Sequence, residues 1–132
     1  MSVRQRDRRR RRGRVLESWL LLFSVDVVMK FRGFPRLYDL VRERQIRMVT
    51  NESPNALSHA MDLACVFYFK PVLCLQRSAA LALLLSRHGW KSEMVIGAQL
   101  LPFLSHAWVE VEGAVVNDKP YVTEIFQVLE RC

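Results

Sequence analysis

Gly89 divides the chain into two hydrophobic rhythms. Before it, apolar residues recur at helical spacing; after it they alternate, and a chain that builds helices first and strands second has few ways to close a core. Val15 to about Phe31 carries apolar residues at 15, 16, 19, 20, 22, 23 and 27, and "GFP" at 33–35 breaks the pattern. A second helix, Pro35 to about Met48, starts on proline and sets Leu37, Leu40 and Val41 against Arg36, Arg42, Arg44 and Arg47. "TNESPN" at 50–55 supplies capping residues for a third, Pro54 to Phe69. Pro71 marks a boundary, and a fourth helix runs from Cys74 to His88 with Gly89 as its left-handed stop. "SEMVIGAQ" (92–99) and "SHAWVEVEG" (105–113) then alternate, and "AVVND" follows at once, which predicts a small antiparallel sheet. The expected class is α+β.

The net charge of +7 suggests nucleic acid until it is located. Residues 1–14, "MSVRQRDRRRRRGR", hold eight Arg and one Asp, whereas residues 15–132 hold twelve basic and twelve acidic residues. The excess is an N-terminal arm, expected to be disordered because like charges repel and nothing apolar holds them. Residues 15–132 are expected to form a single domain. No recurring aromatic-and-basic pattern points to a nucleic-acid module there. The arm followed by "VLESWLLLFSVDVVM" imitates a secretory signal, but Glu17 and Asp26 interrupt the apolar run, which also falls short of the ~20 residues a span requires. A cytoplasmic protein is expected. Cys65, Cys74 and Cys132 offer neither a CxxC pair nor metal-ligand spacing, so a disulfide scaffold and a zinc site are not expected.

Cys74 stands where a thiol gains chemistry. A helix N-terminus presents unpaired N–H groups and the positive end of the dipole; both stabilise a thiolate, and the same amides can hold an oxyanion on a substrate carbonyl. A lone cysteine is more often core, so a base and its orienting group are required. His59 falls in the third helix and His88 at the far end of the cysteine's own helix, roughly 21 Å away. His106 starts a strand. If Gly113 closes a three-residue loop over 111–113, Asp118 faces His106 across the hairpin, within reach of its imidazole. A shift of one residue would put Asn117 or Lys119 there instead.

"CLQRSAALALLLSRHG" and "SHAWVEVEGAVVND" together resemble the lasso-peptide leader peptidases, a family of cysteine proteases with a transglutaminase-like fold. The matching positions are Cys74, Leu75, Arg77, Ser78, Ala80, Leu81, Gly89, His106, Ala107, Trp108, Val109, Glu110, Gly113 and Asp118. The likeness is specific over 71–118 and looser over 15–70. It departs from the family in "QLLPFLSHAW", more apolar before the histidine than usual, which is read as a substrate-contacting loop or as core, with core slightly favoured.

The resemblance implies a transglutaminase/papain-like core and removal of a leader from a ribosomally made precursor peptide. Cys74 would attack, His106 would move the proton and Asp118 would orient His106. Arg77 and Trp108 are candidates for substrate contact. The implied partners are the precursor peptide, a separate leader-binding protein and an ATP-dependent macrolactam cyclase; no cofactor or metal is implied. The helices of 15–48, with Arg42, Arg44 and Arg47, are a candidate docking surface. Two other readings stay open: a transglutaminase-like acyltransferase using the same trio, and a basic-tailed adaptor in which Cys74 is merely buried. His59, Cys65 and Cys132 carry no assigned role.

Overall fold

The computed structural model describes residues 2–47 and 49–132. Its first element, α1 (Val3–Arg42), opens with a reciprocal cap: the Ser2 hydroxyl accepts the Gln5 N–H (3.3 Å) and the Gln5 side chain accepts the Ser2 N–H (3.1 Å). The arm expected to be disordered is therefore, from Val3 onward, the start of a helix; Met1 lies outside the described residues. Two causes combine. Arginine is a good helix former, and the charges are not all left to repel. Arg10 and Arg14 both pair with Glu52, Arg14 at 3.5 Å, and Arg14 also meets Glu17 at 3.2 Å.

The two expected helices of 15–31 and 35–48 are the two arms of α1, bent where Gly33 takes φ +78° and Pro35 follows. The second arm stops at Arg42, short of Met48, which lies outside the described residues. At that end the Arg44 N–H (3.3 Å) and the Arg44 guanidinium (2.5 Å) both reach the Val41 carbonyl, and the guanidinium also bonds the Ser92 carbonyl. Arg44 is accordingly half-buried and takes no part in a solvated face with Arg42 and Arg47.

Helix α2 (Pro54–Val66) begins where expected, with the Ser53 hydroxyl accepting the Ala56 N–H at 3.1 Å, and ends three residues early. Helix α3 (Cys74–Arg87) has Leu73 at its N-cap, with no side chain bonding the first-turn amides. Its other end is a Schellman motif: the Gly89 N–H reaches the Ser86 carbonyl (3.2 Å) and the Trp90 N–H reaches the Leu85 carbonyl (2.9 Å), with Gly89 at φ +86°.

Strands β1 (Glu93–Leu100), β2 (Phe103–Val111), β3 (Ala114–Val115) and β4 (Gln127–Arg131) form one antiparallel sheet in the order β3-β2-β1-β4, with a single turn of helix, α4 (Val122–Ile125), leading into β4. The α+β class stands. Helix α3 packs against α1, α2 and β2. Its Leu81, Leu84 and Leu85 share one core with Met94, Val109 and Val111. The opposite face carries a second cluster of Val95, Trp108 and Val122 with Phe126. Because both faces are covered, the alternation in β2 separates two cores rather than core from solvent.

Candidate active site

The hairpin that carries the histidine has a different register from the one expected. Glu110 pairs with Val115 and Val111 with Ala114, so the loop is the two residues Glu112 and Gly113, at φ +52° and +80°. Both central residues lie in the positive-φ region that a tight hairpin turn requires. Continued straight, this register would place Lys119 opposite His106, yet Asp118 is the residue that arrives there.

The chain leaves the sheet to bring it in. The Val116 N–H still donates to the Val109 carbonyl (3.0 Å), but the Val109 N–H donates to Asn117 Oδ1 (2.8 Å), a side chain standing where a continuing strand would offer a carbonyl. From there Asp118 Oδ2 turns onto His106 Nε2 in a short hydrogen bond, and Asp118 Oδ1 accepts the Lys119 N–H at 2.7 Å. With the Nε2 proton donated to the carboxylate, the imidazole lone pair is left at Nδ1. Burial opposes charge on Asp118, but the bonds from His106 and the Lys119 amide, together with nearby Arg77, outweigh it and hold the carboxyl below its ordinary range. The imidazole lies beside Phe126 (centroids 5.2 Å) and Trp108 (6.0 Å). Gly97 is opposite His106, and a Cβ on it would stand 2.8 Å from the Trp108 ring and 3.0 Å from Phe126, so only glycine leaves room for this aromatic bed.

Asn117 joins this pair to the cysteine's helix. Its Nδ2 donates to Ser78 Oγ (3.1 Å) and its carbonyl accepts from Arg77 Nη2 (3.0 Å), one turn after Cys74. Cys74 is half-buried at the first position of α3, above amides no side chain occupies. Among the described residues no hydrogen bond joins Cys74 Sγ to His106; the structure brings His106 and Asp118 into contact, and Asn117, next to Asp118, ties that segment to the first turns of the helix that Cys74 begins. Sequence reasoning met Asn117 only as a misregistered stand-in for Asp118. The signal it lacked was the polar pairing of Asn117 with Ser78, both buried.

Arg77 and Trp108 have structural partners. Arg77 spans Asn117 and Asp62 of α2 (3.7 Å). Trp108 is fully buried with its Nε1 donating to Glu110 Oε2 (2.9 Å), so it forms the floor under His106 and offers no surface for a substrate to touch. The "QLLPFL" segment is not core, the reading slightly favoured, but the tip of the β1–β2 hairpin, with Leu101 92% and Phe103 71% exposed. His88 is buried between Thr50 Oγ1 (2.8 Å) and Glu17 (3.1 Å) at the far end of α3. Among the described residues no group of three or more His, Cys, Asp or Glu is placed to hold a metal ion. No helix among them is long and apolar enough to cross a membrane.

Comparison with known proteins agrees with this architecture. The family model of the transglutaminase-like superfamily matches residues 19–131. The chain is also 35% identical over 97 residues to the microcin J25-processing protein McjB of Escherichia coli, an alignment covering 71% of this chain and 41% of that protein. The chain thus spans about two-fifths of that relative's length. No solved structure matches it.

Proposed function

The chain belongs to the transglutaminase-like superfamily, and we propose that it is a cysteine peptidase that removes the leader from a ribosomally made precursor of the lasso-peptide class. The observation that carries this reading is the His106–Asp118 pair braced through Asn117 to the helix that begins at Cys74. The likeness of its Cys, His and Asp segments to the leader peptidases, and the processing role in the printed name of the relative, point to the substrate.

In this mechanism the Cys74 thiolate attacks the carbonyl at the leader–core junction, and the oxyanion that forms is held by the open first-turn amides of α3. His106 Nδ1 takes the thiol proton and returns it to the departing amine, while Asp118 keeps the proton of Nε2 in place. Water then releases the leader carboxylate from the thioester. Apolar Leu101 and Phe103, at the exposed hairpin tip and three residues or more along from His106, provide a surface for the arriving peptide. Arg77 contributes by holding the Asn117 carbonyl. Residues 15–132 act as one catalytic domain in the cytoplasm, where the precursor is made. A separate leader-binding protein presents the leader, and an ATP-dependent macrolactam cyclase takes the freed core.

Intact-mass analysis of a leader–core precursor incubated with this chain and the leader-binding protein tests the reading. Wild type is expected to yield free leader and free core, and Cys74→Ala to yield neither. Equal products from both would sink the assignment of Cys74, and an amine adduct in place of a free leader carboxylate would show an acyltransferase.

A further inference from the structure

The unusual surface of this molecule is the outer side of α1. Its inner side buries Leu22 and Val25 against the other helices, which is ordinary. Its outer side is apolar too: Leu16 (61% exposed), Leu20, Phe23, Val27 and Phe31 (73% exposed) follow one another at intervals of three or four and so form a single line along the helix. A helix apolar on opposite sides is one that the working assembly covers on both. The line continues onto the end of α2, where Phe67 and Phe69 are exposed and Trp19 stacks on Phe23 (5.8 Å) and reaches Phe69 (6.4 Å). A groove of about 420 Å³ opens there, between Arg8, Arg11 and Arg12 on one side and Leu16, Trp19 and Phe67 on the other.

Charge decides what fits. Among the described residues Arg8, Arg11 and Arg12 have no carboxylate within salt-bridge distance, unlike Arg10 and Arg14, and the same holds for Lys30, Arg32 and Arg36 at the other end of the line. Between Val15 and Met29 there is no cation at all, and both anions are turned inward, Glu17 to Arg87 and Asp26 to Tyr68 and Lys70. A second copy of the chain, laid parallel or antiparallel, would set cations against cations. A helix lying on an anionic bilayer carries Lys and Arg along a polar face opposite its apolar one, whereas here the opposite side is buried core and the cations stand only at the ends.

We infer that the outer face of α1, with the end of α2, is the docking surface for an amphipathic helix of a partner protein that is apolar along its middle and acidic at both ends. The distance from Arg12 to Lys30 is 18 residues of helix, so the partner helix would span about five turns. This inference stands apart from the peptidase reading, since it concerns binding and none of its residues belongs to the candidate site.

The probes are two synthetic helical peptides with the same Leu and Phe repeat, one ending in Glu clusters and one in Lys clusters, and phosphatidylcholine vesicles containing phosphatidylserine. Binding to the full chain is read by Trp19 emission, with Trp19→Phe as the blank. The Glu-ended peptide is expected to bind and to weaken with salt. The Lys-ended peptide is expected to bind at least tenfold more weakly. Leu20→Asp with Phe23→Asp should weaken the Glu-ended peptide at least tenfold. Arg8→Glu, Arg11→Glu and Arg12→Glu together should weaken it similarly while improving the Lys-ended peptide, a reversal that a misfolded variant could not produce. Equal binding of both peptides, or binding indifferent to the Leu20 and Phe23 substitutions, would overturn the inference. So would vesicle binding without peptide binding, which would identify a membrane, or concentration-dependent dimerisation blocked by Leu20→Asp, which would identify a second copy.

Discussion

Asp118 reaches His106 by a route that its position in the sequence does not disclose. Cys74, His106 and Asp118 could be singled out because the chain has only three cysteines and three histidines, and their chemistry is distinctive. The contact is expected from a three-residue loop that the chain does not form, because the register depends on Glu112 adopting φ +52°, a conformation no sequence signal demands of glutamate. The contact then survives the changed register only because Asn117 replaces a strand carbonyl and diverts the chain. Asp118→Asn retains an oxygen that can accept the Nε2 proton, whereas Asp118→Ala retains none. Even so, the amide lacks the charge that supports an imidazolium and can turn its NH2 onto Nε2, so steady-state peptide cleavage is expected to fall roughly 10³-fold or more in both; an Asp118→Asn enzyme of wild-type activity would mean that Asp118 does not set the tautomer. Asn117→Ala strands a buried Val109 amide and the Ser78 hydroxyl. Leaving two such groups unpaired costs about 2–5 kcal/mol, to be read as a lower urea midpoint, while Ser78→Ala, which removes one bond, is expected to lose less than half of that.

Helix α3 was legible almost to the residue, and the cause is local: Pro71 before it, an apolar run within it and Gly89 after it are all backbone or burial signals confined to a short window. Strand β4 and the turn of α4 were not anticipated, because "TEIFQVLERC" is a half-exposed edge whose pairing with β1 depends on distant residues such as Met94, which exchanges two hydrogen bonds with Cys132 (2.8 and 2.9 Å). The arginine arm misled for the opposite reason. Its composition argues for disorder, and Glu52, some forty residues away, supplies the charge that composition lacks. The stop of α3 can be tested against the hairpin turn. Gly89 and Gly113 both have φ near +80°, but a Cβ at Gly89 would stand 2.8 Å from the Val49 Cα, whereas at Gly113 it meets nothing within 4 Å. Gly113→Ala is therefore expected to destabilise by about 1 kcal/mol and Gly89→Ala by about 2–4 kcal/mol in chemical denaturation. Equal effects would mean that the approach of Val49 contributes nothing.

The molecule is fastened at two ends of one helix. At the start of α3, Ser78 and Arg77 hold Asn117, the neighbour of Asp118 in the candidate site; at its end, Glu17 of α1 takes Arg87 at 2.9 Å and His88 at 3.1 Å, with Arg14 alongside at 3.2 Å. The two joints lie about 15 Å apart along the helix axis, so conditions that open one can spare the other. Burial opposes charge on Glu17, yet the hydrogen bond from Arg87 and the nearby charges of His88, Arg87 and Arg14 prevail, and its carboxyl is held below the ordinary value of 4.5. The sign of the pH dependence follows. Below about pH 4.5 the unfolded chain takes up a proton that the folded chain resists, so the stabilisation from this joint is present in full above that value and is lost as pH falls through the lower folded value. Asp118 works in the same direction from its ordinary value of 3.8, so acid acts on both the joint between α1 and α3 and the site. The melting temperature of wild type is expected to fall more steeply between pH 5 and pH 3 than that of Glu17→Gln, which starts lower at pH 7 and has less to lose. If the two curves ran parallel through that window, the joint would have no part in acid stability and the fastening of α1 would have to be sought in its apolar contacts alone.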